Sequence, residues 1–422
     1  MAAATEAIDN LENSKEIGPG GPHSVARRPI LDLQSRVHAF KLLFRGGSEP
    51  DQLGSAAMLE TAAILKLEKP TEFKKLTGKL MAFVSCPWQA LNEQLAQSLP
   101  PTLTVLEIAP IPDPSPEAIA VCDSLKALGF HFALDDCFSQ PVAEPLWRLA
   151  DYVKVDIGRS GLEERKALFE RLRGSPVALL AKNVETQKEY LQAREEGFTL
   201  FEGYFFCQPM AKKNRRPPAN QLLRIQILQA LQHHPLELQK LSQLVKRDGP
   251  LAFQLLRLVN SPLYAVRQVV ESIEGALLAV GDDAFRRIAT MAIAREFNGD
   301  QPAELLCMAM MRARFCEVCS ASRGLDAFGQ YLVGLLSLLP AMQGQSMSDL
   351  APSLPLSPEI REALLGTRNK ERALLGWLEH FERGDWAGCH VAAETDSLNQ
   401  NELAKVYREA IAWTETVLFS AE

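Results

Sequence analysis

Side chains that could share one site recur at one kind of place in the first half of the chain, just after a short apolar run. Glu107 follows Thr104-Val105-Leu106, Asp135 and Asp136 follow Phe132-Ala133-Leu134, and Glu185 lies just past Leu179-Leu180-Ala181. Lys154 sits inside such a run, between Val153 and Val155. Taken singly, each carboxylate reads as an ordinary turn or helix-cap residue, because Asp and Glu are common there. Taken together they are what a (β/α) barrel mouth requires, since that site is built from strand C-terminal ends. The adjacent Asp135 and Asp136 sharpen the point, because two neighbouring carboxylates repel unless a cation is close.

The elements that must position these residues alternate. Runs at 28–32, 36–44, 80–86, 103–108, 130–135, 152–157, 177–182 and 198–206 are rich in Val, Leu, Phe and Ile. Several are almost continuously apolar, as strands covered on both faces are. Helical spacing fills 51–66, 116–128, 161–173 and 186–196, with Pro116 suited to a first turn and Gly129 to an end. Repeated strand–helix alternation predicts a parallel α/β sheet. Residues 1–26 read as a mobile arm, 27–210 as the barrel domain, and 211–220 (AKKNRRPPAN) as an extended basic, proline-rich linker. Beyond it, over 221–422, only helical periodicity remains: 235–247, a helix after Asp248-Gly249-Pro250 with Phe253, Leu256 and Val259 inward, and one from Ser272 to Gly281. Asp282 is placed to cap the next helix, and further helices are expected over 303–320, 327–340, 357–381 and from 402 onward.

Composition excludes several function classes. With 47% hydrophobic and 23% charged residues, the chain has the profile of a globular protein rather than a disordered or fibrous one. No apolar run approaches the ~20 residues that span a bilayer, and the polar, Gly-rich start lacks a signal-peptide core. A cytoplasmic protein is expected. A net charge of −7 argues against nucleic-acid binding, which needs a basic face. The eight cysteines are scattered, and the lone Cys316–Cys319 pair reads as one face of a core helix, with no disulfide framework or metal site implied. His233-His234 reads as an exposed loop pair before a proline.

Residues 27–45 resemble the opening of EAL domains, the cyclic di-GMP phosphodiesterase family, and five further segments follow in that family's order. These are Leu106-Glu107-Ile108, Ala133-Leu134-Asp135-Asp136-Cys137, Val153-Lys154-Val155-Asp156, Ala181-Lys182-Asn183-Val184-Glu185-Thr186 and Glu202-Gly203-Tyr204. The second half is similar to HDOD domains through Leu255-Leu256-Arg257-Leu258-Val259-Asn260-Ser261, Ser272-Ile273, Ala276, Gly281 and the 327–338 helix. The implied architecture is a TIM-like barrel of EAL type followed by an all-helical HDOD domain. HDOD domains are relatives of HD phosphohydrolases that lack the metal-binding His-Asp pair, and this chain contains no such pair.

The EAL resemblance implies two-metal hydrolysis, in which magnesium or manganese ions held by oxygen ligands generate the attacking hydroxide. Here the motif's glutamate position is Lys41, its asparagine position Ser85, the first glutamate of Ala-Glu-Gly-Val-Glu is Lys182, and the glutamine of Gln-Gly-Tyr is the rim residue Glu202. Glu107, Asp135, Asp136, Lys154, Glu185 and the phosphate-side Arg45 are retained. These replacements make the site three charge units more positive than the family pattern. An ammonium ~4 Å from another cation meets roughly 4 kcal/mol of repulsion per unit charge product at an effective dielectric of 20. Metal binding is therefore expected to fail, with Lys41 or Lys182 pairing with Glu107, Asp135 or Asp136, and with Lys154 as a buried charge partner instead of a water activator. The expected function is signal transduction without catalysis or cofactor, with the helical domain presenting surfaces to a protein partner. A cyclic di-GMP receptor that does not cleave, or an active metal-dependent phosphodiesterase, are the alternatives.

Overall fold

A computed structural model describes residues 25–44, 70–91, 99–135, 137, 142–209, 220–261, 264, 266 and 268–419. Eight strands close into a barrel in the order β1-β2-β3-β4-β5-β6-β7-β8. They are β1 (Val25–Asp32), β2 (Val37–Phe44), β3 (Met81–Ser85), β4 (Thr104–Ile108), β5 (His131–Asp135), β6 (Tyr152–Asp156), β7 (Ala178–Lys182) and β8 (Leu200–Glu202). Strand β1 runs antiparallel to both neighbours, β2 and β8, and the other pairs are parallel. The barrel is therefore not a uniform parallel sheet: the start of β1 lies at the same end as the C-terminal ends of the other seven.

Two-residue alternation sorts each strand's side chains. Ile30, Ala39, Phe83, Val105, Ala133, Tyr152, Leu180 and Leu200 form an apolar layer across the barrel interior. The outward residues, such as Leu42, Leu106, Phe132 and Val153, join the larger core beneath the helices. The barrel helices are α1 (Pro70–Thr77), α2 (Pro116–Ala127), α3 (Glu144–Leu149), α4 (Leu162–Arg171) and α5 (Gln187–Glu196). Ser115 and Thr186 cap α2 and α5 by accepting from Ala118 N and Glu189 N, and Pro116 stands in the first turn of α2.

The run at 198–206 gives only a three-residue strand. Gly203, at φ 150°, lets the backbone press on the β7–α5 turn so closely that a Cβ would lie 2.0 Å from Val184 O. The chain then turns into a 3-10 segment at Phe205–Cys207. Helices α1 and α3 have no counterpart among the helical spacings of the sequence, and the expected 51–66 helix, residues 211–219 of the linker and most of the N-terminal arm lie outside the described residues.

The second half is helical throughout its described residues: α6 (Gln221–Ala230), α7 (Leu238–Lys246), α8 (Gly249–Val259), α9 (Ile273–Val280), α10 (Asp282–Asn298), α11 (Ala303–Ser320), α12 (Ala327–Leu336), α13 (Leu339–Gln343), α14 (Met347–Leu350), α15 (Pro358–Leu364), α16 (Ala373–Arg383), α17 (Trp386–Asp396) and α18 (Gln400–Phe419). The expected 357–381 helix is two helices, and 327–340 also divides, because proline or left-handed glycine positions interrupt the spacing. Phe253 is 65% exposed, against the expected inward placement; Leu251, Leu255, Leu258 and Val259 form the buried stripe of α8. Asp282 is the first residue of α10, and its carboxylate accepts from Leu236 N at 3.1 Å instead of capping the helix. Cys316 and Cys319 are buried free thiols, and burial pushes the Cys319 thiol up to about 12. His233 and His234 are exposed, although His234 also contacts the Arg286 guanidinium at 2.7 Å.

Candidate functional site

One alternation step beyond the apolar layer, on the mouth side, the inward positions become charged. Lys41, Ser85, Glu107, Asp135, Lys154, Lys182 and Glu202 each stand two residues after an inward apolar residue of their strand. The register lines them up, with Ser85 beside Glu107, Asp135 beside Lys154 and Ile30 of β1 beside Glu202. The same step on β1, run in the opposite direction, adds Arg28 beside Lys41.

Glu107 is the centre of this layer. Lys41 Nζ forms an ion pair and hydrogen bond with Glu107 Oε2 and donates to Ser85 Oγ at 2.5 Å. Lys154 Nζ donates to Glu107 Oε1 at 2.5 Å and lies 2.8 Å from Glu202 Oε2, an ion-pair contact without hydrogen-bond alignment. Arg28 Nη1 meets the other Glu202 oxygen at 3.3 Å. Lys41, Glu107, Lys154 and Glu202 are all buried. Burial alone would push the Glu107 carboxyl up, but the ammoniums of Lys154 and Lys41 outweigh it and hold the group at about 2. Glu202 is likewise held below the usual carboxylate range, with burial opposed by Lys154 and Arg28. For Lys154 the balance runs the other way: burial lowers its pKa, and Glu107 with Glu202 raises it. Glu107, Glu202 and Lys154 therefore stay charged at neutral pH.

Lys182 pairs with Asp135 at 2.5 Å nearer the solvent. Asn183 follows at φ 58°, the left-handed region that Asn tolerates with little strain, and its amide donates to Asp156 Oδ2 at 2.8 Å. Glu185 is exposed and outside the ion-paired layer; its backbone N–H donates to Glu189 in the α5 capping box. Its charge reaches Arg28, whose pKa burial lowers and the carboxylates of Glu202 and Glu185 raise. Arg45 and Asp136 lie outside the described residues. Among the described residues no group of three or more His, Cys, Asp or Glu side chains is placed to hold a metal ion.

Two assignments change with the geometry. Glu202 belongs to the buried layer and not to the rim, because β8 is short and its last inward residue faces Lys154. Arg28 joins the cluster although its sequence context, Arg27-Arg28-Pro29, reads as the polar start of a strand. The signal for it lay in pairing: an antiparallel β1 beside β2 must set one residue opposite Lys41.

Fold and site together define a closed eight-stranded barrel with a salt-bridged mouth, joined to a helical region. Residues 218–336 of that region match the family model of the HDOD domain. Over nearly its whole length the chain is similar to two curated proteins. It is 28% identical over 401 residues to the cyclic di-GMP phosphodiesterase CdgJ of Vibrio cholerae, covering 93% of this chain and 92% of that one. It is 26% identical over 411 residues to the uncharacterized protein YuxH of Bacillus subtilis, covering 93% and 98%. Among solved structures, the EAL enzyme Bd1971 in its form bound to cAMP and cyclic di-GMP matches with a TM-score of 0.38 and 13% identity, over 48% of this chain and 64% of that one.

Proposed function

We propose that this chain is a signal-transduction protein whose EAL-like barrel no longer hydrolyses cyclic di-GMP and whose HDOD domain is the output that binds a protein partner in the cytoplasm. The carrying observation is Glu107, whose two oxygens are each taken by an ammonium, from Lys41 and from Lys154. The residues present do not fit the two-metal centre of the EAL pattern. A divalent ion drawn to Glu107 would have to displace Lys41 or Lys154 and then share a buried, low-dielectric layer with both. Lys182 engages Asp135 in the same way. The barrel then serves as a scaffold, and the ammonium of Lys154 stands beside both Glu107 and Glu202 where the family pattern would place cations.

A second reading, an active phosphodiesterase, is favoured by the full-length similarity to a relative that carries that activity in its name. Incubation of the full chain with cyclic di-GMP and manganese, read by chromatography, separates the two. The non-catalytic reading expects cyclic di-GMP to be recovered intact; linear dinucleotide formed at an enzymatic rate overturns it. Calorimetry with cyclic di-GMP in the same buffer distinguishes a scaffold, which gives no heat, from a receptor that binds without cleaving.

A further inference from the structure

The barrel mouth is not left to solvent on its β1–β2–β8 side. The C-terminal end of α16 and the turn into α17 are seated there. Helix ends leave carbonyls without intrahelical partners, and two of those at the end of α16 are satisfied by barrel residues. Tyr204, which follows β8, donates its hydroxyl to Glu382 O at 2.5 Å. Arg28 Nη2 donates to Arg383 O at 2.9 Å. The turn itself, at Gly384 with φ 70°, packs on Leu43, which is one alternation step beyond Lys41 towards the rim; a Cβ at Gly384 would lie 3.5 Å from Leu43 Cβ. Behind the turn, Glu382 is fixed by Arg312 of α11 through Nε and Nη2.

Arg28 is the element that makes this contact more than packing. Its rigid, planar fork meets the mouth carboxylate Glu202 with one nitrogen and the helix terminus with the other. We infer that the α16–α17 corner is an intramolecular occupant of the mouth and that Arg28 latches it. Any change that draws Arg28 or Glu202 out of the mouth layer loosens the corner, and through Glu382 and Arg312 the change reaches α11. The mouth thereby acts as a socket whose state is read by the helices, whether or not the barrel performs chemistry.

Two measurements on the full chain test this independently of any hydrolysis. The Cβ separation of residues 43 and 384 suits a disulfide, for which about 3.5–4.5 Å is needed, so a Leu43→Cys/Gly384→Cys pair should cross-link on mild oxidation, detected by mass spectrometry of proteolytic fragments. Absence of the cross-link while both single variants stay folded overturns the placement of the corner. In the background with Leu43 and Gly384 intact, Glu202→Gln removes the charge that orients Arg28. Amide hydrogen exchange in the last turn of α16 and the 384–386 turn should then rise roughly tenfold, the effect of losing one hydrogen bond to a charged group, with α10 unchanged as the internal control. Exchange at the corner that is unaltered, or raised equally in α10, overturns the latch.

Discussion

Lys154→Met removes the ammonium that joins Glu107 to Glu202 while keeping most of the apolar stem. In the native layer Lys154 Nζ lies 2.5 Å from Glu107 and 2.8 Å from Glu202. The Glu107 carboxyl is held at about 2, against an ordinary value of 4.5. At 1.36 kcal/mol per pKa unit, that depression corresponds to about 3 kcal/mol of stability at neutral pH. Lys154 supplies the largest attractive share of it, ahead of Lys41. Deleting one partner of a buried pair costs roughly 3–5 kcal/mol in other proteins, because the remaining charge is left in a poor solvent. A loss of about 3 kcal/mol at pH 7 is expected. The sign with pH follows from the lowered carboxyl: its contribution is full above about 4.5 and is lost as pH falls towards 2. Urea titrations at several pH values, followed by tryptophan fluorescence, should show a stability deficit in the variant at pH 7 that narrows as acid protonates Glu107 in the native chain. A deficit below about 1 kcal/mol at pH 7, with an unchanged pH slope, would refute the reasoning.

Other outcomes follow from the same structure. Lys182→Met should cost less than about 1 kcal/mol, since its pair with Asp135 is partly open to water, with side chains 18% and 27% exposed; chemical denaturation compares it directly with Lys154→Met. Glu304, buried at the start of α11, is pushed up to about 7 by burial, opposed by Arg27 and reinforced by Glu415 and Glu382. Its folded form holds a proton that the unfolded chain has already released, so stability should fall between about pH 4.5 and 7 and then level off. Glu304→Gln should remove that fall and raise stability at pH 8 by about 3 kcal/mol, read from melting temperatures between pH 5 and 8. Gly203→Ala should cost at least about 3 kcal/mol, or prevent folding, because its Cβ would strike Val184 O; circular dichroism melting checks it.

The charged layer is legible in the sequence through motif order and the placing of polar residues at the ends of apolar runs, and the strands' period of two explains why the fold gathers it. Once the strand centres were placed, the rule that puts Phe83 inward also puts Ser85 inward, and the same holds for Val105 and Glu107, and for Tyr152 and Lys154. The opposite charges at Lys41 and Glu107 could then be matched across the barrel. Arg28 was hidden because nothing in Arg27-Arg28-Pro29 says that β1 runs antiparallel, and only that direction brings it beside Lys41. Helical periodicity located α8 but could not say which neighbouring helices would cover Phe253, which stays exposed while Leu255 is buried. Helix α17 was missed because Trp386–Asp396 is dominated by small and polar residues, with only Cys389 and Ala393 buried. The seating of α16 over the mouth is a long-range contact between backbone carbonyls and two barrel side chains, and backbone carbonyls leave no mark in residue types.

The claim that the mouth is a salt-bridge cluster in place of a metal centre is tested most directly by manganese titration of the full chain, followed by calorimetry at pH 7 and moderate salt. With Lys41 and Lys154 holding both Glu107 oxygens, the titration should show no saturable heat in the micromolar range, and Lys41→Glu should raise manganese affinity. Tight binding of two manganese ions to the native chain would contradict the account.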